Sequence, residues 1–232
     1  HMVFPLKGFT FDWYIEMWNK ARLHQALWNS IKVGVIASII STFIALFAAK
    51  AFTRYRVKYS GLSYGAILLP FIIPEIIIAV AFIVIWTSMG LKLGLIPITI
   101  SHVLYCTPFC LLILISRMDG FDKSLEEASM DLGENVFGTF WRVTFPLLLP
   151  GIIASLLLSF VISFDEFILA FFLSSSDQTL PIYMWSQLRF PKKLPHVLAL
   201  GAIIIVATSF IVMLSYWFRN IGQSKNNKGI HI

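Results

Sequence analysis

Five apolar runs, at about 31–49, 62–87, 96–116, 147–173 and 197–218, decide what this chain can fold into. Each holds roughly twenty residues or more, and a helix rising ~1.5 Å per residue needs about that many to cross a hydrocarbon core ~30 Å thick. Lipid offers no water to unpaired backbone groups, so a span is either a helix or a strand of a closed barrel. The regular apolar–polar alternation of barrel strands is missing here, which leaves helices. Composition agrees: 58% of residues are hydrophobic and only 13% charged, with mean hydropathy +0.81, against ~25% charged in an average soluble domain. The chain therefore reads as an all-α, polytopic membrane protein with five transmembrane helices, a single unit over 1–232 with no soluble domain.

Between the third and fourth runs lies a polar, acidic island at 117–146. Ser124 and Glu127 have the spacing of a capping box, so a helix is expected to begin there. Phe121, Leu125, Ala128 and Leu132 would form its apolar face, and Asp122, Glu126 and Asp131 a carboxylate face. Gly133 reaches the left-handed conformation that ends a helix, and Asn135 starts another. That second helix, about 136–143, carries Phe137, Phe140 and Trp141 and is expected to stop before Pro146. Such an elbow suits a groove on a partner. The acid cluster Asp119, Asp122, Glu126, Glu127 and Asp131 also leaves open a Mg²⁺ site in a membrane-embedded phosphotransferase. Such an enzyme would need convergent His, Asn or Arg partners, whereas this elbow carries a Gly stop and an aromatic second helix, which favours docking. The chain has no G-x-x-x-x-G-K-[ST] loop, so it is not expected to hydrolyse ATP itself.

Glu127-Ala128-Ser129, Gly133, Val143 and Phe145-Pro146 keep the spacing E-A-A-x3-G-x9-I-x-L-P and so resemble the cytoplasmic EAA loop of binding-protein-dependent ABC importer permeases. Glu127, Ala128, Gly133 and Pro146 match outright, whereas Ser129, Val143 and Phe145 depart slightly. The resemblance implies a transport subunit, not an enzyme. Its coupling helix, with Glu127, Ala128, Ser129, Gly133 and Pro146, would dock in a cleft of a separate ATPase subunit. No cofactor is implied for this chain, and ATP and Mg would sit in the ATPase subunits.

Further stretches look like one of the two permease subunits of spermidine/putrescine importers. They are Ile73-Pro74-Glu75-Ile76, Ser101-His102 with Tyr105-Cys106 and Pro108-Phe109, Ser163-Phe164-Asp165-Glu166-Phe167, and Thr179-Leu180-Pro181 with Trp185 and Leu188-Arg189-Phe190. The likeness implies a polyamine cargo delivered by a periplasmic binding protein, a second permease subunit in a heterodimer, two ATPase copies, and a bacterial inner membrane. Phe9-Thr10-Phe11-Asp12-Trp13-Tyr14 and Asn29-Ser30 look like the region after the first helix of six-helix permeases, so a six-helix fold lacking its first helix is expected. His1-Met2 reads equally as a cloning remnant or natural loop.

Basic residues set the orientation. Lys50, Arg54, Arg56 and Lys58 crowd the loop after the first run and place it in the cytoplasm. By alternation, 117–146 and the tail are cytoplasmic, while 1–30, the loop near Lys92 and 174–196 are periplasmic. Ten Lys and Arg then lie inside against seven outside, so the one dense loop decides.

Glu75, Asp165 and Glu166 lie within apolar runs, where an ionised side chain costs ~2.5–3.5 kcal/mol or more. Counted at ~1.5 Å per residue, Glu75 and Asp165 both stand about 20 Å from the cytoplasmic side. Pro70 and Pro74 kink the helix beside Glu75 and free carbonyls. Carboxylates, carbonyls and the aromatics Trp86, Tyr105 and Trp185 would suit a cation through ion pairing and cation–π contact, so these six residues are candidates for the cargo path. Structural pairing of the carboxylates and interfacial aromatic belts account for them almost equally well. His102, Cys106 and Cys110 recur every four residues, but Pro108 disturbs the alignment and no fourth metal ligand is near. The segment 174–196 reads as a short interfacial helix facing a periplasmic partner or the membrane surface. The net charge of +6 is scattered over membrane edges, which fits lipid phosphate and not nucleic acid.

Overall fold

The computed structural model describes residues 10–55 and 58–221. His1, Met2, Phe9, Arg56 and the end of the tail lie outside the described residues. The described chain is helical throughout: α1 Asp12–Trp18, α2 Ala21–Arg54, α3 Ser60–Ile72, α4 Glu75–Ser88, α5 Leu95–Asp119, α6 Ser124–Asp131, α7 Val136–Thr139, a π-turn Phe140–Thr144, α8 Phe145–Asp165, α9 Ile168–Leu173, α10 Leu180–Leu188, a 3-10 turn Pro191–Lys193, and α11 Leu194–Asn220. Among the described residues, four stretches are long and apolar enough to cross a membrane: Ala21–Arg54, Leu95–Asp119, Val136–Asp165 and Pro191–Asn220.

The second run is a bent pair of helices. α3 and α4 meet at 102°, so the kink expected from Pro70 and Pro74 over 62–87 is a full break between two helices. Pro74 has no N–H to give and forces its predecessor out of the helical region; Ile73 is extended (φ −74°, ψ 132°), as is Pro74 in ψ (132°). The fourth run divides too, where Glu166 is extended (φ −70°, ψ 124°) between α8 and α9.

The bundle is built on α2, α5 and α8, with α11 against α8. α2 buries Val33, Gly34, Ala37, Ser38, Ser41, Ala45 and Ala49, a stripe of small residues at helical spacing that lets backbones approach closely. Around it pack Cys110, Leu111, Leu114, Met118, Phe140, Leu148 and Ile152. Several buried hydroxyls find partners locally or across helices: Ser38 donates to Val35 O (2.9 Å), and Ser215 of α11 to Ala154 O of α8 (2.8 Å). Both cysteines are buried in this seam, with Cys106 Sγ on Ser159 O and Cys110 Sγ 3.6 Å from Ser41 and Thr42.

Contacts sort the connections into two ends. At one, Arg54 meets the 117–146 elbow, and Arg117 donates to Leu147 O and Ile221 O. At the other, Asn29 donates to Gln178 O, Ser30 Oγ accepts from Leu180 N, Gly94 N donates to Leu173 O, and His196 meets Glu16. The segment 174–196 does more than rest on a surface. Leu180 and Tyr183 of α10 are buried with Met17, Leu23, Ala26, Phe164 and Leu200, so α10 is part of the packing, with Ile182 buried in a neighbouring cluster.

A Cβ at Gly34 would lie 3.0 Å from the Phe160 ring. Gly34→Leu is expected to destabilise the α2–α8 crossing by about 1–3 kcal/mol, and Gly34→Ala by less because the ring can shift. Thermal unfolding of the purified protein in detergent measures this, and a Leu variant as stable as the parent would contradict the close crossing.

Candidate functional site

The elbow begins differently from its sequence signature. Asp122 Oδ1 accepts from Ser124 N (3.0 Å), while Lys123 at the N-cap gives no side-chain bond. The Ser124–Glu127 capping box is therefore corrected to a cap from Asp122, and the same bond holds the exposed Asp122 carboxyl below its usual range. Glu127 is free of the cap and pairs outward with Lys123 (3.0 Å).

On the carboxylate face of α6, Asp122 and Asp131 are exposed but Glu126 is not. Glu126 is 7% exposed, whereas Leu125 and Leu132 of the apolar face are 47% and 88% exposed. Arg54 Nε donates to Glu126 Oε2 (3.1 Å) and Thr144 Oγ1 to Oε1 (2.6 Å). The same guanidinium donates to Met118 O and Phe121 O and stands over the Phe121 ring. A buried carboxylate is tolerable only when charged and hydrogen-bonding partners surround it, and α2 and the π-turn supply both. Periodicity sees which residues share a face but not which face has a partner.

The turn follows expectation. Gly133 holds φ +94°, and Asn135 Oδ1 accepts from Gly138 N (2.7 Å) as the cap of α7. Ser129 and Thr139 hydroxyls, 3.1 Å apart, close α6 on α7, and exposed Arg142 pairs with Glu134. Pro146 does not end the second helix, which is a correction. The chain runs from Val136 to Asp165 as one 30-residue helix, because the wider π-turn just ahead of Pro146 changes the bonding register where its N–H is missing. Glu127, Ala128, Gly133 and Pro146 are exposed and Ser129 half-buried. Beside them Val136, Phe137 and Trp141 are also open, an apolar surface at one end of the bundle.

Within the spans, the three carboxylates differ. Glu75 is the first residue of α4, and its Oε1 accepts from the Tyr105 hydroxyl on α5. Glu166 is buried in the α8–α9 break. Its oxygens accept from Leu169 N (3.0 Å) and Ala170 N (3.1 Å), so it caps α9, and Oε2 is 3.2 Å from His102 Nε2. That nitrogen makes no hydrogen bond; Nδ1 lies 2.7 Å from Ser163 Oγ. Asp165, next to Glu166, is exposed and has no hydrogen bond or ion pair among the described residues. The two breaks adjoin, since α9 packs on α4 through Leu169, Ile78 and Ala79, with Tyr105 beside them.

Trp86 and Trp185 stand apart at the end away from the elbow. Trp86 donates to Lys92 O (3.0 Å), while Trp185 meets Phe171 edge-on and carries the Arg189 guanidinium over its ring. Sequence reasoning missed the roles of Arg54, Thr144 and His102. The available signal was a basic residue at the end of one apolar run and a lone imidazole inside another.

Residues 41–225 match the family model described as "Binding-protein-dependent transport system inner membrane component". The chain belongs to that family. It is 31% identical over 210 residues to the spermidine/putrescine transport system permease protein PotC of Haemophilus influenzae, covering 90% of this chain and 81% of that protein. It is 26% identical over 219 residues to the putrescine transport system permease protein PotI of Escherichia coli, covering 90% and 77%. Among solved structures it is similar to a bacterial ABC transporter involved in the import of the acidic polysaccharide alginate, with TM-score 0.72 at 17% identity over 89% of this chain and 79% of that one. An amino acid ABC transporter gives 0.67 at 15%, over 92% and 100%. The likeness establishes the importer fold, with four to five spans. This permease is the non-catalytic, multi-pass inner-membrane component of an ABC importer that works with an ATPase and a periplasmic binding protein, and such subunits carry no cofactor.

No neighbour lies within 4 Å of a Cβ built at Gly133, so substitution there tests backbone conformation alone. Gly133→Val is expected to cost about 1–2 kcal/mol and loosen the elbow, and Gly133→Asn to cost less. Limited proteolysis between α6 and α7 measures it; equal cleavage of Val and Asn variants would contradict the left-handed turn.

Proposed function

We propose that this permease carries a polyamine, spermidine or putrescine, inward across the membrane. The observation that carries the reading is Asp165, an exposed carboxylate without a partner among the described residues at a helix break, adjoining the Glu75 break. An unspent negative charge at membrane depth is costly unless something cationic or water meets it. The relatives named for spermidine and putrescine transport support the same cargo. Glu75, Tyr105 and Asp165 would meet the ammonium groups, and Trp86 and Trp185 would lie nearer the periplasmic mouth. Glu166, whose oxygens are committed to His102 and α9, supports the break instead of binding cargo.

The elbow end faces the cytoplasm in this reading, and the α10 end, with 1–30 and 174–196, faces the binding protein. The exposed surface of α6 and α7, with Glu127, Ala128, Ser129, Gly133 and Pro146, sits in a cleft of the ATPase. A second, different permease subunit completes the path and two ATPase copies bind ATP and Mg. Closure of the ATPase pair moves the elbows and exchanges outward for inward access to the site.

Glu75→Gln and Asp165→Asn remove charge and keep size and most hydrogen bonding. Each is expected to raise the KM for spermidine uptake about tenfold or more while the complex still assembles, since a hydrogen bond to a charged group contributes ~1.5–3 kcal/mol. Uptake of polyamine at the parental KM by both variants would sink the cargo assignment.

A further inference from the structure

Glu126 holds three elements together, and nothing in the family's motif assigns it a task. It lies on α6, and its oxygens take one bond from Arg54 at the end of α2 and one from Thr144 in the π-turn that leads into α8. We propose that Glu126 is the positioning residue through which movement of the elbow reaches α2. This rests on the reading that the elbow faces the ATPase.

Two routes lead from the elbow into the bundle. The first is covalent and stiff: α7, the π-turn and α8 are one continuous helix, so a push on α7 reaches α8 along the axis. The second, towards α2 and α5, has no such rod, because residues 120–123 between α5 and α6 are not helical. On that side the Arg54–Glu126 pair is the charged tie, its side chains each 9% exposed. Arg54 also grips the end of α5 through Met118 O and the turn after it through Phe121 O. Glu126 therefore links α6 to the ends of two spans through a single guanidinium. Lys50, one turn before Arg54, lies 4.4 Å over the Phe140 ring of the π-turn, a second contact from α2 to the same turn.

Removing one partner of such a buried pair leaves the other unpaired, so the pair moves as a unit or separates at high cost. A π-turn is a local departure from helical bonding and a common place for a functional adjustment. With the Thr144 hydroxyl fixed on Glu126, the turn cannot change without moving α6. The three-way tie thus makes the elbow, α2 and the start of α8 move together.

The test uses the whole importer in proteoliposomes with its ATPase and binding protein. Glu126→Gln, Arg54→Gln and the double variant are compared for subunit stoichiometry, basal ATP hydrolysis, stimulation of hydrolysis by cargo-loaded binding protein, and uptake. Assembly and basal hydrolysis are expected to persist, while stimulation and uptake fall about tenfold. The double variant is expected to lose no more than either single one, because both act through one contact. In parallel, Phe137→Cys, at a position 72% exposed on the elbow, is cross-linked to the ATPase. Cross-linking together with full stimulation in Glu126→Gln would overturn the tie alone. Failure to cross-link in the otherwise native complex would overturn the elbow reading and the tie with it. If Glu126→Gln does not assemble, Thr144→Val decides, since it deletes one bond to Glu126 without touching a charge; reduced stimulation supports the tie and parental stimulation overturns it.

Discussion

In hydrocarbon every backbone N–H and C=O must find a partner inside the protein, and this one constraint shapes the permease more than any side-chain contact. A continuous helix satisfies it without help. A broken helix does not, and two of this chain's runs are broken. Each break is closed by a different device. At the first, Pro74 contributes no N–H, and Ile73 N still reaches Leu69 O. At the second, the Glu166 carboxylate takes the Leu169 and Ala170 N–H groups that begin α9.

The charges then sort by what they close. Glu166 and Glu126 are buried and committed, one to a helix start and an imidazole, the other to Arg54 and Thr144. Breaking such pairs costs roughly 3–5 kcal/mol, which suits groups that hold elements in place. Asp165 immediately precedes Glu166, yet its side chain is open. The extended residue between α8 and α9 sends the two neighbouring carboxylates in different directions, so the same break that needs a buried acid for its backbone also presents an exposed one. Structural support and an open carboxylate arise together from one local geometry.

Much of this was legible beforehand. Apolar run length gave five crossings, Gly133 and Asn135 marked the turn by their backbone chemistry, and Pro74 marked the first break. The burial of α6 was not legible, because helical periodicity groups Leu125 with Leu132 without saying that both stay exposed. Glu126 read only as one acid of a carboxylate face, since its partner Arg54 is distant in sequence. Pro146 misled because its effect depends on the π-turn before it, which no single residue announces. The residues 180–188 looked interfacial by composition, but Ser30 and the Met17–Leu23 region give them a packed seat.

The central claim is that Asp165 opens onto the cargo path while its neighbour is sealed. Cys106 and Cys110 are both fully buried, so a cysteine placed by Asp165→Cys reports with little background. The most direct measurement is its reaction with a small, membrane-impermeant thiol reagent in the assembled importer, with and without ATP and spermidine. The expected result is reaction from one side at a rate that spermidine slows and ATP changes. A thiol that does not react under any condition, or reacts at one rate regardless of cargo and ATP, would contradict it.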